Sequence, residues 1–321
     1  METKKTAIIF PAFVSEYLGI ELQAIKSSEN NFRDKISVAS GILKTDLAGF
    51  DFLSDNFLAD ELKSQYISYI YSCTVADILK EKQIKPSFVC GYSMGLYAAL
   101  YYCGAVNFQN GLLLVKRAWD AISGACLGGS YGMGMIIGLD EAEIRSWCDE
   151  QKDAWICNQN NPHTFIISGT LKSVSLILDK AKAEGALRTN LLPVSKPYHS
   201  QLLGKAKGRL QDFLGTTRFD EPVYPYFSCL DNKMIVKGSG FRDEVARNID
   251  SHMNWLLTMD HLISLGTAVF FECGAGDGLT RNFRFIGGNY KAFSINNLQD
   301  FIAYLKANQE SYDIPPELDL P

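Results

Sequence analysis

Short apolar runs alternate with longer stretches of helical period along most of the chain. Ala7–Phe10 is unbroken and apolar, and predicts a buried strand that runs into a turn at Pro11-Ala12-Phe13. Residues 16–42 carry a largely helical pattern, interrupted around Ser27–Asn31. Residues 61–82 form the longest helical stretch, with Ile67, Ile70, Val75 and Ile78 near helical spacing. Phe88-Val89-Cys90, behind Pro86, predicts a second strand, and Met94–Leu100 is rich in helix formers. Gly104 stops that helix. Asn107 has the side chain of an N-cap for the next, which runs through Leu112–Val115 to Trp119. Strand, helix, strand, helix is the order of a parallel α/β sheet.

The pattern changes after Gly124–Gly134, a glycine-rich stretch with no following Gly-Lys-Ser/Thr, which reads better as a hinge between domains than as a phosphate-gripping loop. Strands are expected at 133–137, 154–157, 164–168 and 188–194, with helices at 141–150 and 173–184. Two β-α-β units in so short a span fit a small split-βαβ, ferredoxin-like lobe. The expected organisation is an α/β-hydrolase-like large domain from residues 1–127 and 197–321, with the lobe inserted at 128–196. In the second part of the large domain, 205–213 and most of 243–257 read as helix, 225–228 as a strand, and 268–272 as a last buried strand. The tail from Asp313 reads as loose, and no tandem repeat is present.

Composition narrows the function classes. The chain has 321 residues, 47% hydrophobic and 21% charged, with a net charge of -5, which argues against general nucleic-acid binding. No apolar stretch has the length of a membrane span, and the run after Met1–Lys5 is too short for a signal sequence. Eight cysteines lie scattered with no Cys-x-x-Cys pair, the pattern of reduced thiols in a cytoplasmic protein.

The candidate chemistry centres on Gly91-Tyr92-Ser93-Met94-Gly95. Gly-x-Ser-x-Gly between a strand and a helix is the spacing of a nucleophile elbow, which pushes the serine out at the top of the sheet. The amides behind it open a helix and point where an oxyanion forms. A serine hydroxyl needs a base at neutral pH. The chain has four histidines: His163 follows a turn, His252 and His261 fall near Trp255, and His199 lies between a strand and a helix. Loop ends beside rigid elements favour His199.

In this arrangement the chain resembles the malonyl-CoA:acyl carrier protein transacylases, the acyltransferases of fatty acid and polyketide synthesis. The resemblance spans about residues 6–300. Gly91-Tyr92-Ser93-Met94-Gly95 is similar to the family's G-H-S-x-G, and Leu114-Val115-Lys116-Arg117-Ala118 to its L-V-x-x-R-G segment. Asn158-Gln159-Asn160-Asn161-Pro162 with Ile167-Ser168-Gly169 resembles N-x-N-S-P … I-S-G. Val194–Ser200 resembles the segment that carries the family's histidine, and Glu272–Gly276 with Leu279-Thr280 its E-x-G-P-G … L-T ending. The departures are Phe13 in place of a glutamine, Tyr92 in place of a histidine, and Leu96 in place of a glutamate.

The resemblance implies catalytic Ser93 and His199, oxyanion amides at Met94 and Phe13, and a substrate site of Arg117, Asn160 and Tyr198. Arg117 is then a planar fork on the malonyl carboxylate, and Tyr198 crowds a branched acyl group. Asn254, in the pair Asn254-Trp255, marks the main-chain carbonyl that orients the histidine. No metal and no permanently bound cofactor is expected. Malonyl-CoA is the implied donor, and the phosphopantetheine thiol of an acyl carrier protein, acting in trans, the acceptor. Two other readings fit the same residues: a hydrolase of acyl carrier protein thioesters, and a degenerate homologue that only binds the carrier. The Arg117 clamp counts against the first.

Overall fold

β1 (Lys5–Phe10) forms the centre of a six-stranded sheet because its apolar residues can bury on both faces. The computed structural model describes residues 4–12, 17–53 and 59–308. In the large sheet the order is β10 (Lys291–Phe293), β9 (Thr267–Glu272), β1, β2 (Phe88–Gly91), β7 (Tyr226–Phe227), β8 (Met234–Ile235). All neighbours are parallel except the β7–β8 edge pair. Ile8 and Phe10 point into one apolar core, and Ala7 and Ile9 into the other. A sheet covered on both sides explains why these strands read as continuous apolar runs. The largest core packs the helices Glu29–Leu43, Glu61–Glu81, Gly95–Tyr102 and Phe108–Ala125 against one face. Among the described residues no helix is long and apolar enough to cross a membrane.

The second sheet is antiparallel, in the order β4 (Ala154–Asn161), β5 (Thr164–Thr170), β3 (Tyr131–Ile137), β6 (Arg188–Leu191). The helices Glu141–Gln151 and Leu171–Ala183 complete a β-α-β-β-α-β lobe with its own core around Ile136, Trp147, Phe165 and Ile177. This is the expected ferredoxin-like arrangement.

Three local expectations change. The glycine-rich stretch is no free hinge: Gly124 ends a helix, while Gly132 and Gly134 lie within β3. A Cβ on Gly134 would meet the end of the Leu178 side chain at 2.9 Å, so the helix Leu171–Ala183 packs closely on the strand there. Residues 243–257 are two helices, Phe241–Arg247 and Trp255–Ser264, and the break between them serves the site described below. β9 is followed by one further strand, β10, too short to give a pattern. The expected loose tail lies outside the described residues.

All eight cysteines are buried and free. Cys90 and Cys229 approach to 3.2 Å as a thiol hydrogen bond, and Cys229 also donates to the Gly91 carbonyl at 3.1 Å.

Candidate active site

The elbow is shaped by what its glycines lack. A Cβ on Gly91 would sit 2.4 Å from the Leu96 backbone, and one on Gly95 would sit 2.1 Å from the Phe10 carbonyl oxygen. Only glycine lets the new helix pack that closely on β1 and β2. Between them Ser93 holds φ at 54°, a left-handed value unusual for a residue with a Cβ. The strain is held from both sides: the Tyr92 amide donates to Phe10 O at 2.8 Å, and the Asn248 amide group donates to Ser93 O at 3.1 Å. Met94 follows directly, and its N–H lies at the opening of the helix Gly95–Tyr102, where the helix dipole is positive.

His199 is the histidine that the fold brings to Ser93. Its Nε2 lies 2.7 Å from Ser93 Oγ. Its Nδ1 faces the Ser251 carbonyl at 3.2 Å, and its own amide donates to Ile249 O at 2.9 Å. A carbonyl accepts only, so Nδ1 carries the proton and Nε2 presents a lone pair to the hydroxyl. Burial lowers the imidazole pKa from 6.5 to about 4, with His252 adding to the depression and the Ser251 carbonyl opposing it. The ring is therefore a neutral acceptor at neutral pH.

The orienting group is a correction to the sequence reading. Asn254 does not face His199: its side chain caps the helix Trp255–Ser264 through Leu257 N at 2.8 Å and reaches Gln159 at 3.4 Å. The carbonyl that holds the histidine is that of Ser251, in the non-helical break. Of the other histidines, His252 bonds the Ile156 carbonyl at 3.0 Å, and His261 packs edge-on to Phe227.

Arg117 is the larger correction. It is exposed, and its guanidinium lies over the Phe213 ring at 5.1 Å, away from the cleft. The next residue, Ala118, is buried and lines the cleft with Trp119 and Ile122. One residue on a helix is a rotation of about 100°, enough to exchange the inner face for the outer.

Tyr198 does line the cleft. Its hydroxyl donates to Glu61 at 2.6 Å and accepts from Gln65 at 2.9 Å. Asn160 does not: it accepts from the Tyr92 hydroxyl at 2.8 Å and faces a neighbouring cavity with Glu272 and Arg281. Asn158, which the sequence reading passed over, lines the cleft itself, donating to the Tyr92 hydroxyl at 2.8 Å and accepting from Trp255 N at 3.1 Å. Tyr92 thus joins β2 to the small lobe. Phe13 lies outside the described residues.

Beside Ser93 and His199 the cleft has a volume of about 210 Å³ and a mainly apolar wall, including Trp119, Met133, Ile166, Leu192, Val194 and Met253. The two lobes share it. Glu272, at the C-terminal end of β9, is buried and accepts from Leu279 N at 3.0 Å and from Thr280 N and Oγ1 at 2.7 Å. Burial raises its pKa to about 6 against those donors. It ties the Glu272–Gly276 loop to the helix that follows.

A mostly parallel sheet with a left-handed serine between glycines, a neutral histidine on its hydroxyl and an apolar cleft defines an acyl-group enzyme of the α/β-hydrolase kind. No family model matches the chain. Among curated proteins, the malonyl CoA-acyl carrier protein transacylase of Synechocystis is 27% identical over 276 residues, 86% of this chain and 92% of the relative. That of Bacillus subtilis is 26% identical over 319 residues, 96% of this chain and 99% of the relative. Among solved structures, a malonyl-transacylase in complex with its type II polyketide synthase acyl-carrier protein superposes with a TM-score of 0.86. It is 27% identical, over 95% of this chain and all of that one. Over nearly its whole length the chain is thus similar to malonyl-CoA:acyl carrier protein transacylases.

Proposed function

We propose that the protein transfers an acyl group from a coenzyme A thioester, through an acyl-Ser93, to the phosphopantetheine thiol of an acyl carrier protein. It is an acyltransferase, and the reaction its relatives are named for is this transfer with malonyl-CoA as donor. The observation that carries the reading is the 2.7 Å contact between Ser93 Oγ and the lone pair of His199 Nε2. His199 takes the Ser93 proton as the oxygen attacks the thioester carbon. The Met94 amide receives the oxyanion, and the reading gives the Phe13 amide the second donor place, at about 3 kcal/mol per donor in comparable sites. The C–S bond breaks, and the imidazolium returns the proton to the leaving coenzyme A sulfur. The carrier's thiol then repeats the steps in reverse, losing its proton to His199 and regenerating Ser93.

The Ser251 carbonyl takes the place of the acid in a Ser-His-Asp triad, fixing the tautomer. The large domain of residues 1–127 and 197–321 and the lobe at 128–196 form the two walls of the site. The sheet running from Tyr131 to Leu191 supports these boundaries. The chemistry needs no metal or resident cofactor, and the acyl carrier protein acts in trans, in the cytoplasm.

A second reading has one observation in its favour. With Arg117 on the surface, the carboxylate clamp that counted against a hydrolase of carrier-bound acyl groups is gone. The deciding experiment is intact mass of the protein and of holo acyl carrier protein after incubation with malonyl-CoA and with a short neutral acyl-CoA. Lasting acyl mass on the carrier supports transfer. A transient adduct on the protein with free acid released supports hydrolysis. No Ser93-dependent adduct or turnover with either donor overturns both.

A further inference from the structure

We propose that the acyl cleft selects an uncharged, apolar acyl chain and has no binding device for a terminal carboxylate; this rests on the acyl-Ser93 reading above. Three observations point the same way. First, among the described residues no lysine or arginine lines the cleft, and the titratable side chains there besides His199 are tyrosines and Cys157. The stretches 1–3, 13–16, 54–58 and 309–321, outside the described residues, contain no Lys, Arg or His. Second, Ala118 occupies the inward position on the helix Phe108–Ala125, next to Trp119 and across from Met133 and Ile166 in the cleft wall. That wall offers methyl, thioether and ring surface, which rewards each added methylene of a neutral chain.

Third, the charge nearest the wall has the wrong sign for a dicarboxylate. Glu61 accepts from Tyr198 of the cleft, and from the amide and hydroxyl of Ser195, and it borders a contiguous groove with Trp119, Leu192 and Val194. Lys196 stands on the Trp119 side of the cleft. Its ammonium sits over the Trp119 ring at 5.2 Å and is not part of the cleft lining. A malonyl carboxylate entering here loses its water and meets no opposing charge.

The specificity-determining positions are therefore Ala118 and Trp119. The test is the initial rate of coenzyme A release by the full chain from malonyl-, acetyl-, butyryl- and hexanoyl-CoA, with Ser93→Ala as the control. Butyryl or hexanoyl is expected to exceed malonyl by about 10-fold or more, within the range that one or a few apolar groups discriminate. Ala118→Arg, which places a guanidinium on the inner face, is expected to shift the malonyl-to-hexanoyl ratio upward by about 10-fold or more. Ser93-dependent release led by malonyl in the wild type overturns this inference alone. An unchanged ratio in a folded Ala118→Arg variant, checked by circular dichroism, does the same. Release that persists in Ser93→Ala overturns the acyl-serine reading itself. If Ala118→Arg does not fold, the wild-type series decides alone.

Discussion

Ser93 and His199 lie 106 residues apart in the chain, yet both hold left-handed backbones, with φ of 54° and 58°, and their side chains meet at 2.7 Å. Neither conformation is favourable for a residue with a Cβ, and each is held by hydrogen bonds from the same segment. Asn248 donates to the Ser93 carbonyl, while Ile249 and Ser251 accept from the His199 amide and ring. The break between two helices at residues 248–254 thus fixes nucleophile and base relative to one another.

That arrangement makes Asn248 a positioning residue. Asn248→Ala leaves the buried side of the Ser93 carbonyl without its donor, at a cost of about 1–3 kcal/mol. Coenzyme A release is expected to fall through kcat more than KM, because the elbow loses its fixed geometry. Thermal unfolding and steady-state kinetics on the variant check both. A wild-type kcat would show that Asn248 does not position the elbow.

His199 sets the acid limb. With its pKa lowered to about 4, the ring stays a neutral base as pH falls from 7 to 5, and kcat/KM is expected to hold there before dropping through about pH 4. The sign for stability is opposite in its consequence. Between pH 6.5 and about 4 the unfolded chain binds a proton that the buried ring refuses, so stability falls as pH falls through that window. Activity should therefore be read in short assays paired with unfolding measurements. An acid limb near pH 6.5, with the fold intact, contradicts the buried neutral base. His199→Ala is expected to slow acylation by about 10²–10⁴-fold.

Gly95 carries a steric prediction. Gly95→Ala puts a methyl 2.1 Å from a backbone oxygen of β1, which cannot move without disturbing the sheet. Loss of about 3 kcal/mol or more of stability, or failure to fold, is expected. Gly41→Ala is the contrast, because nothing lies within 4 Å of its Cβ position, and the surrounding helix gains from alanine.

Arg117→Ala tests whether this side chain touches the acyl group. A clamp on malonyl predicts that this variant loses malonyl and admits acetyl. An exposed guanidinium over Phe213 predicts a loss of about 0.5–1 kcal/mol in stability and an acyl preference unchanged within about twofold. The malonyl-to-acetyl rate ratio in wild type and variant distinguishes them.

The elbow was legible in the sequence because its demands are local: two glycines, a strand before and a helix after. The strand-rich lobe was legible because alternating elements of ordinary length fill residues 131–191. The histidine could be picked from its position at a loop end, although its partner carbonyl could not, since any backbone carbonyl accepts equally well and Ser251 carries no sequence mark. Arg117 misled for a geometric reason. In the family segment L-V-x-x-R the arginine comes three residues after the valine, while Leu114-Val115-Lys116-Arg117 places it two after. A motif on a helix is a statement about a face, and a shift of one residue moves the side chain to solvent. Asn158 was hidden by its neighbour Asn160, because strand alternation near a register shift does not say which asparagine faces the cleft.

Everything proposed for the cleft depends on Ser93 carrying the acyl group. The most direct measurement is intact mass of the wild type and of Ser93→Ala, quenched in acid at short times after mixing with hexanoyl- and malonyl-CoA, with peptide mapping of any adduct. An added acyl mass is expected on the peptide containing Ser93 in the wild type and none in the variant, which should unfold at the wild-type temperature. An acyl adduct of equal yield in Ser93→Ala, or one mapped to another residue, contradicts it.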